Sequence, residues 1–248
     1  MTLDELKARA KQDLDNAFEK GKSQGGGGDE YYDKFWDDIQ NYGDRDNYNY
    51  FAAYHPRITW FRPKYDIRPT KAQYFMRDCG AAVNDKDTEN IIDLVDVLNK
   101  QGIVLDFSQC TSVTYAFYQA RISHLPVLDL RAVTDTSINY AMFGGCVEIV
   151  DGMMVNEKAI MKETFNYASK MKHIIFGGVI AQDMKINQSD LLDAETYESI
   201  MSHCSKTASF TVTLPAETKV RSVFDAKYGS GAWDAITAQY PNVTIMYS

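Results

Sequence analysis

The feature that most constrains the fold of this chain is a four-residue pattern that returns at a fixed interval. Val104-Leu105-Asp106-Phe107 recurs 23 residues further along as Val127-Leu128-Asp129-Leu130, and a degraded copy, Val150-Asp151-Gly152-Met153, follows after the same interval. Intervals of about 20 to 50 residues are typical of stacked repeats, in which each unit buries its apolar side against the next. The sequence therefore predicts a short solenoid, an architecture that mostly presents extended surfaces for binding.

Two further patterns extend the repeat along the chain. Tyr65-Asp66-Ile67-Arg68 has the same order of apolar, acidic, apolar and polar residues, which takes the repeat back to position 65. The spacing Leu125-x-x-Leu128-x-Leu130-x-x-Val133 is that of a leucine-rich-repeat strand, and Met171-x-x-Ile174-x-Phe176-x-x-Val179 repeats it. We predict that the spaced apolar residues are buried.

Between the predicted strands, a large apolar residue is followed three positions later by a small one. The pattern occurs as Met76…Cys79, Phe117…Ala120, Phe143…Cys146 and Phe165…Ala168. Stacked repeats need a small residue where neighbouring turns approach closely, because protein interiors are close-packed. Cys79 and Cys146 are therefore predicted to be buried structural residues, and Cys110, three positions after Phe107, is predicted to be core as well.

Two segments precede the repeats in the predicted α/β fold, and each allows more than one role. Residues 1–28 form an amphipathic helix over 2–22 and a glycine linker. The apolar stripe of this helix suits self-association into a homo-oligomer, docking to another protein, or folding back on its own domain. The many aromatic residues of 29–64 suit either stacking on sugars or an N-terminal cap, and we favour the cap because aromatic side chains bury large areas.

Two further segments follow residue 64 in the predicted fold. Residues 65–190 form the leucine-rich-repeat solenoid, interrupted by an inserted helix over 87–101 that Gly102 ends. Residues 191–248 form an α/β C-terminal cap. Its predicted elements are a helix capped by Asp193, a strand over 209–214, a helix around Trp233 and a strand over 243–247.

Composition excludes several classes of partner and site. The chain has 26 basic and 34 acidic residues and a net charge of −8, which argues against a nucleic-acid partner. No stretch approaches the roughly 20 apolar residues that cross a bilayer. The N-terminus lacks a secretory signal pattern, so we expect neither membrane insertion nor ordinary export. The 4 cysteines and 4 histidines have no zinc-ligand or catalytic spacing, and we predict no metal, cofactor or catalytic residue.

Three stretches beside the repeats carry a resemblance to a known family. They are Tyr32-Asp33-Lys34-Phe35-Trp36-Asp37, Phe61-Arg62-Pro63-Lys64-Tyr65-Asp66-Ile67-Arg68-Pro69-Thr70, and the run from Ser189-Asp190-Leu191-Leu192 to Asn242-Val243-Thr244-Ile245. With the repeats, they resemble BspA-like (treponemal-type) leucine-rich-repeat proteins, and in particular those of phages and prophages of gut bacteria. The glycine run 25–28 and the degraded third copy depart from the usual pattern. The resemblance implies a non-enzymatic role, either in binding or in association with the virion, and no catalytic residues.

One set of polar residues is the predicted binding site. Residues that flank the buried pair of a leucine-rich strand face the concave surface, and here they are Asp66, Arg68, Asp106, Ser108, Asp129, Arg131 and His173. Stacked aspartates repel one another across strands about 4.8 Å apart, and Arg68 and Arg131 can offset this repulsion. The row is either a solvated, self-neutralising face or a polar strip that binds a ligand.

These patterns favour a binding protein that presents its repeat surface to a host-surface glycan or to a protein. It would be tail-associated in a virion if phage-encoded, and cytoplasmic otherwise. Two alternatives stay open: an assembly protein that oligomerises through residues 2–22, and a bacterial adhesion-type repeat protein. An enzyme is the least favoured class, because the adjacent pairs Ser123-His124 and His203-Cys204 cannot readily turn toward each other as nucleophile and base.

Overall fold

The structure is a computed structural model that describes residues 58–61, 63–80, 90–133 and 141–248. The predicted helix over 2–22, the glycine linker and most of the predicted aromatic cap lie outside these residues. Within them, the chain is a mixed α/β protein with two parallel β-sheets, which agrees with the predicted α/β class. None of the helices described there combines the length and the apolar character needed to cross a membrane.

The described elements are short strands and short helices. A 3-10 helix, Ile58–Trp60, comes first. The strands are β1 (Ile92–Asp93), β2 (Ile122–Leu125), β3 (Leu128–Asp129), β4 (Ile149–Val155), β5 (His173–Gly178), β6 (Met184–Lys185), β7 (Phe210–Leu214) and β8 (Val243–Tyr247). The α-helices are α1 (Leu94–Gln101), α2 (Ala194–His203), α3 (Glu217–Tyr228) and α4 (Ala232–Thr237).

The first sheet is built around β4, which is long enough to pair with two earlier strands. Its first half pairs with β2, through Val150 and Leu125, and its second half pairs with β3, through Met153 and Leu128. β1 lies beside β2, β5 lies on the other side of β4, and each of these pairings is parallel. Successive passes of the chain therefore lie side by side and run in the same direction.

The register of β4 differs from the one that the 23-residue interval predicts. Leu128 lies opposite Met153, an interval of 25 residues (153 − 128), so the prediction that the third copy begins at Val150 is wrong. Val150 instead pairs with Leu125, and the register shifts between Val150 and Met153. Both residues are buried, so an apolar pattern alone does not distinguish the two registers.

The predicted ladder of large and small apolar residues is confirmed as core. Its members, Met76, Cys79, Phe117, Ala120, Phe143, Cys146, Phe165 and Ala168, are all buried. Cys110 is buried too, as predicted. The turns of the ladder bond to one another, since Phe117 donates its N–H to the carbonyl of Met142 at 3.1 Å. The rings of Phe143 and Phe165 stack with centroids 5.5 Å apart.

One position of the second leucine-rich pattern is wrongly predicted. Met171, Ile174 and Phe176 are buried, but Val179 is 43% exposed and Ile180 is buried instead. The reason lies in the backbone. Gly178 has a φ of +83°, which changes the chain direction at the end of β5, and Ile180 then pairs with Cys204.

The inserted helix begins later than predicted. α1 starts at Leu94 rather than at 87, because the chain at Ile92–Asp93 is strand β1, paired with β2. Residues 87–89 lie outside the described part. The Asp93 carboxylate caps the helix by accepting the N–H of Asp96 at 2.9 Å. Gly102 ends it in the left-handed conformation, as predicted.

The C-terminal region contains the predicted elements and one more helix. α2 follows Asp193, whose carboxylate accepts the N–H of Thr196 at 2.8 Å. Strands β7 and β8 lie where alternation of apolar and polar residues predicts them, and with β6 they form the second parallel sheet. α4 contains Trp233, which is buried against Tyr197 and Phe224. α3 has no counterpart among the predicted elements.

Candidate binding face

Arg68 connects two passes of the chain. Ile67 pairs with Leu105, so Asp66 does not lie opposite Asp106 as the pattern predicts, and Arg68 does. The guanidinium of Arg68 contacts the Asp106 carboxylate at 2.8 Å and that of Asp66 at 3.1 Å. One arginine thus offsets the charge of two acids on neighbouring passes.

Backbone N–H groups also hold these two carboxylates. Asp66 accepts the N–H of Val104 at 2.9 Å, and Asp106 accepts the N–H of Ser108 at 2.9 Å. These bonds, and then Arg68, hold the pKa of both carboxyls below the ordinary value. Both groups are therefore charged across the physiological pH range.

Asp129 and Arg131 form a second, local pair. Arg131 donates through Nε at 2.9 Å and through Nη2 at 2.6 Å, one bond to each carboxylate oxygen of Asp129. This two-pronged contact lowers the pKa of Asp129. Asp66, Arg68, Asp106 and Ser108 thus make one group, in which one arginine is shared by two carboxylates. Asp129 and Arg131 make another, in which the charges are matched.

His173 lies at the other end of β4 from the pair formed by Asp129 and Arg131. It pairs with Ile149 at the start of β4, whereas Asp129 pairs with Met154 at the other end of the same strand. Its Nδ1 contacts the carboxylate of Asp193 at 2.6 Å. The two halves of β4 pair with different earlier strands, so His173 adjoins the half that pairs with β2, and Asp129 pairs with the other half.

A histidine that the sequence analysis did not assign to the site connects three strands. His124 of β2 has Nδ1 3.1 Å from Asp93 of β1 and Nε2 2.7 Å from Asp151 of β4. The three positions are far apart in sequence, and only the parallel pairing brings them together. Both carboxylates remain partly exposed, so the group is accessible to a ligand.

The charge state of His124 depends on these partners. Burial lowers its pKa, but hydrogen bonds and charge attraction from Asp151 and Asp93 outweigh this effect, and the pKa is raised above its ordinary value of 6.5. The protonated ring donates from both nitrogens, one to each carboxylate.

We expect this group to make stability depend on pH. Because the folded-state pKa of His124 is raised, its stabilising contribution is complete below about pH 6.5, the unfolded value, and is lost as pH rises through the folded pKa. Urea unfolding of the wild type and His124→Gln, at several pH values, should give a stability difference that shrinks as the pH increases. In Asp151→Asn, the pKa of His124 measured by NMR should fall. Parallel pH profiles for wild type and His124→Gln would contradict this account.

The adjacent pairs named in the sequence do not form a nucleophile and its base. The Ser123 hydroxyl donates to the carbonyl of Ile92 at 3.2 Å, while His124 contacts the aspartates. The Cys204 thiol donates to the carbonyl of Ile200, and burial raises its pKa to about 12, so it is protonated at neutral pH. The described residues hold no group of three or more His, Cys, Asp or Glu side chains suited to a metal ion.

A tyrosine and arginine cluster is a further feature that the sequence analysis missed. The rings of Tyr74 and Tyr115 stack 5.4 Å apart, and the Arg77 guanidinium lies 4.8 Å from the centre of the Tyr115 ring. Tyr118 packs edge-on against Tyr115. The signal was present, since these tyrosines lie within two positions of Met76 and Phe117 in the ladder.

We call three charged groups together the candidate binding face: Asp66, Arg68 and Asp106; Asp129 and Arg131; and Asp93, His124 and Asp151. The last group lies at the same end of β4 as His173. Their side chains are exposed to differing degrees and come from successive strands or passes of the chain. No protein-family model, curated protein or solved structure matches this chain, so the functional assignment rests on this geometry.

Proposed function

We propose that this chain is a non-enzymatic binding protein whose curled parallel sheet is a short leucine-rich-repeat solenoid. Three features support the architecture. The ladder residues are buried at matching positions. Tyr74 and Tyr115 take the same left-handed conformation at corresponding turns, with φ of +57° and +55°. The N–H of Tyr74 donates to the carbonyl of Thr114, so equivalent turns bond to one another.

The observation that carries the binding role is that charged side chains bridge neighbouring passes at the surface. Arg68 joins two passes and His124 joins three strands, and their partners are partly exposed. Such rows offer many hydrogen-bonding groups along an extended surface, which suits an extended polar ligand. We assign that ligand to a host surface, as a glycan or a protein, and place the protein in a virion tail on the strength of the family resemblance.

The test reverses charge on the candidate binding face. The double variant Arg68→Glu/Arg131→Glu should bind about tenfold or more weakly than the wild type. Binding is measured on an array of bacterial surface glycans and on intact gut bacteria with and without protease treatment. Lys100→Glu is the matched control, because Lys100 also contacts an exposed carboxylate, that of Asp96, but lies on α1. The control should bind as the wild type does.

Two outcomes would contradict this placement of the site. One is unchanged binding by Arg68→Glu/Arg131→Glu. The other is loss of binding only in Tyr48→Ala or Tyr54→Ala, two residues outside the described part, which would place recognition in the aromatic N-terminal segment.

A further inference from the structure

A groove lies on the outer face of the second sheet. Lys185, Thr213 and Met246 lie opposite one another on β6, β7 and β8, and Thr211 lies two residues before Thr213 on the same face. Together with Lys162, Asp183 and Asn187, they line a cavity of about 410 Å³. This volume falls within the range of small-ligand sites, roughly 300 to 1,000 Å³.

Two like charges adjoin in this groove. Met161 pairs with Met184, so the residues that follow, Lys162 and Lys185, lie side by side on parallel passes. Like charges at facing positions destabilise a sheet. Within residues 58–61, 63–80, 90–133 and 141–248, neither lysine has a carboxylate within ion-pair distance, whereas Lys172 contacts Glu148 at 2.5 Å. These two unpaired cations share the groove lining with one side-chain carboxylate, that of Asp183.

The acidic side chain in the lining, Asp183, is already engaged. Its Oδ1 accepts the N–H of Thr211 at 2.9 Å. Arg68 pairs with Asp106 and Arg131 pairs with Asp129, but within the described residues neither Lys162 nor Lys185 has such a carboxylate partner. A ligand carboxylate would supply the missing negative charge.

The rest of the lining offers hydrogen bonds and one apolar surface. Asn187 donates through Nδ2 to the hydroxyl of Ser248 at 2.7 Å, and its Oδ1 is buried with no hydrogen-bond partner in the described part of the chain. Thr211 and Thr213 add hydroxyl groups that can donate and accept. Met246 is 52% exposed and contributes an apolar side chain at the groove.

We propose that this groove binds an acidic sugar residue, a pyranose that bears a carboxylate. The ammonium groups of Lys162 and Lys185 bind the carboxylate, and the ring hydroxyls exchange hydrogen bonds with Thr211 and Thr213. The C–H face of the ring packs on Met246. The groove shares no residue with the candidate binding face, so either site can fail its test without affecting the other.

The experiment is isothermal titration of the full-length protein with glucuronate and N-acetylneuraminate, and with glucose, acetate and inorganic phosphate as comparison probes. The two acidic sugars should bind, and glucose and the simple anions should bind at least about tenfold more weakly. Lys162→Met and Lys185→Met should each lower acidic-sugar affinity about tenfold, since a hydrogen bond to a charged group contributes a factor of this size. Lys219→Met, an exposed lysine on α3, is the matched control and should bind normally.

Several results would overturn the proposal. They are absence of acidic-sugar binding, equal binding of glucose, equal binding of acetate or phosphate, and normal binding by both lysine variants. Equal binding of the simple anions would reduce the groove to a general anion site. Circular dichroism and urea unfolding of each variant show whether weaker binding comes from a lost contact or from a lost fold. Thr213→Val is a second kind of variant, which removes a hydroxyl without changing the charge.

Discussion

Replacing Phe117 by alanine is expected to lower the free energy of unfolding by about 3 to 5 kcal/mol. The side chain is fully buried, and its ring centre lies 5.9 Å from that of Phe75 and 6.0 Å from that of Phe107. Its backbone N–H is bonded to Met142 on the next pass, which limits how far the site can collapse around the cavity. Urea unfolding followed by circular dichroism measures the loss.

The matched control for this change is Leu191→Ala. Leu191 is 52% exposed, and its truncation should cost within about 0.5 kcal/mol of zero, as at most surface positions. Phe117→Leu fills most of the cavity and should recover much of the loss. If Phe117→Ala and Leu191→Ala had similar costs, the packing of the ladder between neighbouring passes would be wrong.

The elements that could be predicted from the sequence are those with strong local signals. Asp193 begins α2 because its side chain satisfies a free helix N–H, and Gly102 ends α1 because glycine accepts a left-handed conformation. Along β7 and β8 more buried and more exposed residues alternate, because successive side chains point to opposite faces of the sheet. These signals depend only on neighbouring residues, so they hold without knowledge of the rest of the fold.

Strand register could not be predicted in the same way. β4 has buried residues at both Val150 and Met153, and either fits the apolar position of the repeat. Which of the two lies opposite Leu128 depends on how many residues the turn between β3 and β4 takes up. That number is a property of the three-dimensional structure. The same ambiguity explains why the repeat pattern places Asp66 opposite Asp106, whereas in the structure Arg68, two residues later, lies there.

Five of the eight residues of the candidate binding face were named from the sequence, but their contacts were not. Its arginines and aspartates flank apolar residues, a pattern that is visible in the sequence. The contacts of His124 with Asp93 and Asp151 span 31 and 27 residues, and they exist only because β1, β2 and β4 adjoin. The groove of the second sheet is likewise invisible in sequence, since Lys162 and Lys185 meet through the pairing of Met161 with Met184.

Gly178 leaves less room for a side chain than any other described glycine. A Cβ built at this position would overlap the carbonyl oxygen of Val155, a backbone atom that cannot rotate away. The φ of +83° adds a second obstacle, because side chains disfavour this conformation. The pairing of Val155 with Gly178 at the end of β4 and β5 therefore requires glycine.

We expect Gly178→Ala to lower the free energy of unfolding by about 2 to 5 kcal/mol, the sum of a left-handed backbone penalty and a forced displacement. Gly102→Ala separates the two effects. Gly102 has a similar φ of +65°, but a Cβ there would meet nothing within 4 Å, so only the backbone penalty of about 1 to 2 kcal/mol applies. Urea unfolding of both variants gives the difference, which measures how closely the passes pack. Equal losses would mean that β4 and β5 separate readily at Gly178, and the tight parallel pairing at that end of the sheet would be wrong.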